Sequence, residues 1–270
     1  MTRLLTFFLI LAVSLTAKEL HLTLDRTAEN DTCGYIKTAR VEPGVSGFVV
    51  HHFTPEHSAI VANAVAAAYD DEKGELRVDF SPYTGLRQNS LPKGEWKPGK
   101  GDEVILAFAY NRGLLLSPTR KIYRDLTSRL RNIDWIHPDT FATYLSYRGH
   151  PTPLKKDIRD FCTVATTGLF YLYLEDSLFM LDCQSLALLQ IAKADMPYTD
   201  AKVPFYSRVE EIHANWFGAG SGELKSYSPY YFELMVENNP RSRKLYEYIQ
   251  SHPSIDRALL KKFDLKKEEP

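Results

Sequence analysis

Cysteines are few, and long apolar runs and an excess of either charge are missing, in this chain of 270 residues. Lysine plus arginine number 33 against 34 aspartate plus glutamate, a formal net charge of −1. Such a balance sets up no field to gather nucleic acid or an anionic membrane, so no nucleic-acid partner is expected. The longest apolar run, residues 4–15, falls short of the ~20 residues that a membrane-spanning helix needs. Recognisable catalytic signatures are missing as well. The segment Trp216-Phe217-Gly218-Ala219-Gly220-Ser221-Gly222 has the glycines of a phosphate loop but not its Lys-Ser/Thr ending, and reads as a surface turn. No nucleophile elbow frames a serine, and Cys162 with His150 or His213 is a coincidence of residue types. The neighbouring carboxylates Asp70-Asp71 and Glu210-Glu211 fall in turns, where solvation is the default. The chain therefore reads as a non-enzyme with no cofactor and no catalytic residue.

Three cysteines, Cys33, Cys162 and Cys183, allow at most one intrachain disulfide. Cys162 and Cys183 frame a predicted β-hairpin while Cys33 lies in a turn far upstream, so the later two are the expected pair; three buried thiols are the alternative. Closing that loop of about twenty residues stabilises the fold by roughly 3 kcal/mol in the chain-entropy picture. A disulfide presupposes an oxidising compartment, and the N-terminus points the same way. Arg3 is a charged n-region, residues 4–15 an apolar h-region and Ala17 a small residue at a cleavage point, although Leu15 suits a signal peptidase poorly. Residues 1–17 are accordingly read as a secretory signal peptide, with an uncleaved N-terminal anchor as the alternative. Cys33 stands too far downstream for a lipoprotein.

The remaining chain predicts an α+β protein: a small barrel or sandwich over residues 18–110, an α+β unit over 111–236 and a short helical, charged tail over 237–270. Alternation at Leu20-His21-Leu22-Thr23-Leu24 marks a strand, and residues 35–41 return as a second. Gly47 opens the apolar run Phe48-Val49-Val50, Pro55 turns the chain, and residues 58–65 read weakly as strand on their Val and Ile content. His51, His52 and His57 crowd this hairpin. Neighbours on a strand point to opposite faces, so His51 and His52 are read as hydrogen-bonding residues rather than ligands of one metal.

Residues 104–110 read as the strongest strand of the first half. Beyond them come a strand at Leu114-Leu115-Leu116 and an amphipathic helix through Tyr123, Leu126 and Leu130. A second helix over residues 141–147 has Asp139 as its expected N-cap, and a third over 154–161 is expected to be capped by Thr152. A hairpin, residues 168–174 and 178–182, follows. The aromatic run Tyr227-Ser228-Pro229-Tyr230-Tyr231 is read as packing rather than a binding platform. Two short helices split at Pro253 are expected in the tail, where basic residues outnumber acidic ones.

Four segments carry a family resemblance: SGFVVHHFTPEHSAIVANAV, GDEVILAFAY, WIHPDTFATYLSYRGHPTP and VPFYSRVEEIHANWFGAGSGELKSYSPYY. Together they resemble the PgbA N-terminal domain family of bacterial plasminogen-binding proteins, over about residues 40–235. The resemblance implies an exported protein in the periplasm or on the outer surface of a Gram-negative envelope, with host plasminogen as partner and no enzymatic activity. Membrane contact would come only through export or surface association. In the family, binding is tied to a long Lys/Glu-rich extension ending in lysine. Here residues 265–270 are short and finish with Pro270, so an internal ammonium beside a carboxylate must serve. Lys261, Lys262, Lys266, Lys267, Glu268 and Glu269 are the candidate partner-binding residues. The alternative is a periplasmic or envelope structural or assembly protein that binds no plasminogen.

Overall fold

The computed structural model describes residues 18–265 except 29, 84 and 86–95. The expected signal peptide, Lys266, Lys267, Glu268 and Glu269 lie outside the described residues.

Seven strands build the first sheet: β1 Leu20–Thr23, β2 Arg26–Thr27, β3 Cys33–Lys37, β4 Ser46–Thr54, β5 His57–Asp70, β6 Glu75–Pro82 and β7 Glu103–Leu106. All pair antiparallel in the order β1-β7-β4-β5-β6-β3-β2, and the sheet curls into a half-barrel. The curl has local causes. The pairing of β4 with β5 shifts register between Val49 and Val50, and that of β5 with β6 between Ala66 and Ala68. Such bulges bend a strand and deepen its twist. The fully buried residues of β5 are Ala62, Ala64 and Ala66, whose small side chains let the curved face close over its core. Gly47 permits the β4–β7 contact, because a Cβ there would stand 1.8 Å from the backbone oxygen of Ile105.

The second sheet is mixed, with order β12-β11-β10-β8-β9: β8 Arg112–Leu116, β9 Asp134–Ile136, β10 Leu169–Leu174, β11 Ser177–Asp182 and β12 Leu188–Lys193. It is covered on both faces, which is why Leu169-Phe170-Tyr171-Leu172-Tyr173-Leu174 is buried at every position. Leu115, Leu169, Tyr171, Tyr173 and Leu178 share a core with the half-barrel's Val49, Val104 and Leu106. The same core takes Ile122, Tyr123 and Leu126 of α1, Arg120–Arg129. From the opposite face, Leu114, Leu116, Phe170, Leu172 and Phe179 meet the other helices. These are α2 Pro138–Arg148, α3 Lys155–Val164, α4 Tyr227–Asn238 and α5 Arg243–Ser251, followed by a 3-10 turn at Arg257–Lys262. No helix among the described residues is long and apolar enough to cross a membrane.

The α+β class read from the sequence is the class observed; several local expectations are corrected. The strand expected to run to Tyr110 ends at Leu106, because Ala107 and Ala109 both take left-handed backbone, φ 56°, and turn the chain towards β8. Asp139 does not cap α2. His137 does, its Nδ1 accepting the Asp139 N–H at 3.2 Å, with Pro138 in the first turn where a missing N–H costs nothing. Thr152 does not cap α3 either. Its hydroxyl donates to the Gly222 carbonyl at 2.6 Å, and the Asp157 carboxylate accepts the Leu154 N–H at 3.0 Å instead. Cys33 sits at the start of β3, buried, rather than in a turn.

Candidate functional site

The candidate lysines fall on the outer side of the C-terminal helices. Leu245 and Ile249 of α5, with Ile255 and Leu259 beyond it, are buried against the core. Ser242 caps α5 through the Leu245 N–H at 3.3 Å, and Asp256 takes the Ala258 N–H at 2.8 Å to start the 3-10 turn. Anchoring these apolar positions turns Lys261 and Lys262 to solvent. Lys262 Nζ reaches Glu233 Oε1 at 2.6 Å and Glu237 Oε1 at 3.5 Å on α4. The hydrogen bond to Glu233, reinforced by the charge of both carboxylates, raises the ammonium above its ordinary value. Lys261 has no ion-pair partner among the described residues. Phe232, Glu233, Asp256, Arg257 and Lys262 line an open groove of about 670 Å³ between α4 and the 3-10 turn. The surface thus offers one free and one neutralised ammonium, three residues or less from Asp264. Chain position hid the partners of Lys262, and no helix is predicted there from the sequence; on the observed α4, Glu233 and Glu237 at i,i+4 share one acidic face.

The histidine-rich hairpin is a hydrogen-bonded assembly. His51 Nδ1 meets Asp102 Oδ1 at 2.6 Å, His52 Nε2 meets Glu103 Oε2 at 2.9 Å, and His57 Nδ1 meets the Thr54 hydroxyl at 3.0 Å. Trp96 stacks on His51 with ring centroids 5.7 Å apart. His21 joins from β1, its Nδ1 2.6 Å from Glu103 Oε1 and its Nε2 3.6 Å from Glu19. The hydrogen bond to the Glu103 carboxylate raises the His21 pKa, and the bonds that Glu103 accepts from His21 and His52 hold it below the usual carboxylate range. Among the described residues, no group of three or more His, Cys, Asp or Glu is arranged to hold a metal ion.

A second histidine–carboxylate pair sits between α2 and α3. Asp157 is fully buried and both of its oxygens lie within reach of His150 Nδ1, at 3.0 and 2.8 Å. Its other contacts are the Leu154 N–H and, at 3.7 Å, Arg148 Nε. These bonds join the end of one helix to the start of the next, a structural task. Close by, Cys162 of α3 and Cys183 just beyond β11 form a disulfide with Cα atoms 5.9 Å apart, and Cys33 is free. The residues Tyr227 and Tyr231 are buried in α4, donating to the carbonyls of Leu116 and Pro204 at 3.0 and 2.9 Å.

A family model described as "Plasminogen-binding protein pgbA N-terminal" matches residues 19–235. The chain belongs to this family. Two curated relatives, both named plasminogen-binding protein PgbA, come from Helicobacter pylori. The protein of strain J99 / ATCC 700824 is 28% identical over 205 residues, covering 75% of this chain and 44% of that protein. The protein of strain ATCC 700392 / 26695 is 27% identical over 198 residues, covering 72% of this chain and 42% of that protein. The match therefore spans less than half the length of these PgbA proteins. No solved structure matches the chain.

Proposed function

We propose that this PgbA-family protein is an exported envelope component that binds host plasminogen without enzymatic activity of its own. Its family membership over residues 19–235 carries the reading. The Cys162–Cys183 disulfide supports it, since such bonds persist in oxidising compartments. Binding uses ammonium groups held near carboxylates on the C-terminal surface: Lys261 and Lys262 beside Asp264, and the sequence pair Lys266-Lys267 next to Glu268-Glu269. Lys261 is the strongest of the described members, because Lys262 is already neutralised by Glu233 and Glu237. Exposed charge pairs of this sort bind weakly and are screened by salt.

The test is a sensor assay of the protein against plasminogen, with and without a free lysine analogue. Binding that the analogue blocks, and that falls several-fold on Lys261→Ala and on deletion of residues 265–270, is the expected result. Undiminished binding by both variants moves the contact onto the folded body. No binding by any form ends the plasminogen reading for this chain.

A second reading, an envelope structural or assembly protein that binds no plasminogen, is favoured by one observation. The family match stops at residue 235, ahead of every candidate lysine, so what the relatives share is the folded α+β body. Protease treatment of intact cells separates the two. Complete protection of the protein rules out recruitment of a host protein and leaves the second reading.

A further inference from the structure

The loop following residue 212 presents two aromatic side chains to solvent in full. Trp216 is 98% exposed and Phe217 85%, the most exposed large apolar pair among the described residues. Neither ring is left out by slackness of the backbone. On one side, the His213 N–H donates to Ser146 Oγ at 3.1 Å and the Asn215 N–H to the Gly149 carbonyl at 2.9 Å, while Asn215 Nδ2 donates to the Arg148 carbonyl at 2.9 Å. On the other, the Thr152 N–H donates to the Gly220 carbonyl at 3.1 Å and its hydroxyl to that of Gly222 at 2.6 Å. Gly218, at φ 121°, makes the reversal between them in backbone open to glycine, and a Cβ there would meet nothing within 4 Å. Residues 214–222 contain no charged side chain. The loop is a tied-down, uncharged tip with a Trp-Phe pair at its end.

We propose that this tip is a lipid-contacting wedge that attaches the protein peripherally to a bilayer surface. Three observations favour lipid over a protein partner. Trp216 and Phe217 are almost wholly exposed and rest on no neighbouring side chain among the described residues, and Tyr147, 88% exposed, lies next to the Ser146 and Arg148 that anchor the loop, whereas an anchor in a protein interface is normally seated in a wider complementary patch. Exposed Trp and Phe side chains together present on the order of 400 Å², about half the ~800 Å² that each partner of a stable protein–protein contact contributes. An uncharged tip ending in Trp and Phe matches what the boundary between headgroups and acyl chains accepts: indole is amphipathic and settles there, and no charge has to be desolvated. Around the loop, Arg148, His150, His213 and Lys225 are mixed with Glu210, Glu211 and Glu223, so attachment needs no anionic lipid.

Co-sedimentation with vesicles tests this, using the chain from Lys18 onward, which contains every described strand and helix, so that residues 4–15 cannot insert on their own account. With phosphatidylcholine vesicles the expected result is measurable binding, reduced at least tenfold in Trp216→Ser/Phe217→Ser and largely kept in Trp216→Phe. Melting of the double variant should match the parent, because both rings are solvent-exposed. Absence of binding by the parent, or equal binding by the double variant, overturns the proposal. A strict requirement for phosphatidylglycerol in the vesicles also overturns it, placing attachment on basic side chains. So does a concentration-dependent dimer, seen without lipid and lost in the double variant, which would make the tip a contact between copies of the chain.

Discussion

The Tyr110 hydroxyl donates to Asp182 Oδ2 at 2.8 Å and so ties the turn after the half-barrel to the end of β11 in the second sheet. The same oxygen accepts the N–H and the hydroxyl of Ser46, at 2.9 and 2.8 Å, where β4 begins. Oδ1 accepts the N–H groups of Gln184 and Ser185 at 2.9 and 2.7 Å. Asp182 is fully buried, with no ion-pair partner among the described residues, and its oxygens are met by five neutral donors. Burial, and then the Asp182 charge, push the Tyr110 phenol well above its ordinary pKa, so the phenol stays a donor.

Removing this carboxylate strands several buried donors at once. Asp182→Ala is expected to cost about 3 kcal/mol or more, since each unsatisfied buried group costs roughly 1–3 kcal/mol. Tyr110→Phe, which leaves four donors in place, should cost about 1 kcal/mol. Urea denaturation of both variants measures the difference. An Asp182→Ala protein as stable as the parent would show that the two sheets do not depend on this link.

Gly47→Ala should be among the most damaging single-methyl changes in the protein. The added Cβ meets backbone, Ile105 O at 1.8 Å, and backbone cannot rotate aside as a side chain can. Strands β4 and β7 would have to separate, at a cost of about 3 kcal/mol or more on the scale of severe core lesions. Thermal melts decide it. A loss under about 1 kcal/mol would mean that the half-barrel opens easily at this edge.

Peptide mapping of the non-reduced protein isolated from its native cells should recover Cys162 joined to Cys183, with Cys33 alkylated only after unfolding because it is buried. Replacing the pair by serine or alanine should lower stability by roughly 3 kcal/mol, given the loop that the bond closes. A bridge containing Cys33 would contradict the arrangement described. The same preparation tests export directly: an intact mass starting at Lys18 fits cleavage after Ala17, and a mass retaining Met1 fits an uncleaved anchor.

The His21–Glu103 contact gives the edge strand β1 a pH-dependent hold on β7. The His21 pKa is raised in the folded state by its hydrogen bond to Glu103, so its contribution is complete below the unfolded value of about 6.5 and is lost as pH rises through the folded value. Glu103 is depressed, so its share is present above the unfolded carboxylate value and lost as pH falls through the folded one. Both groups work together only in the mildly acidic window between. The carboxylates of Glu19 and Glu103 face His21, and His52 shares the Glu103 carboxylate. Imidazole NMR titration should show His21 moving back towards its ordinary value in Glu103→Gln; an unmoved titration would remove the contact from the account.

Much of the chain was legible before folding because its signals are local. Apolar runs bounded by turn residues marked the β10–β11 hairpin, and Pro253 marked the break between the last helices. The exchange of capping roles at Asp139 and Thr152 was not legible. Each is a good capping side chain drawn off by a distant partner: Asp139 bonds Arg208, through its N–H at 2.7 Å and its Nε at 2.6 Å, and Thr152 bonds Gly222. Propensity scores a residue in its own neighbourhood, and long-range bonds outbid it there.

By itself the sequence determined the α+β class, the membership signalled by its long ordered segments, the absence of a one-signed field and the choice of Cys162 with Cys183. The class, the charge balance and the cysteine pairing follow from composition, period and spacing, and the family from the resemblance of long ordered segments, all of which are carried along the chain. Tertiary structure alone decided that one carboxylate, Asp182, would gather donors from residues 46 and 110, that Lys262 would be neutralised by α4 while Lys261 pairs with no other described residue, and that Trp216 and Phe217 would stand almost wholly in solvent. Burial and charge pairing are relations between distant residues, and no pattern read along one strand of sequence contains them.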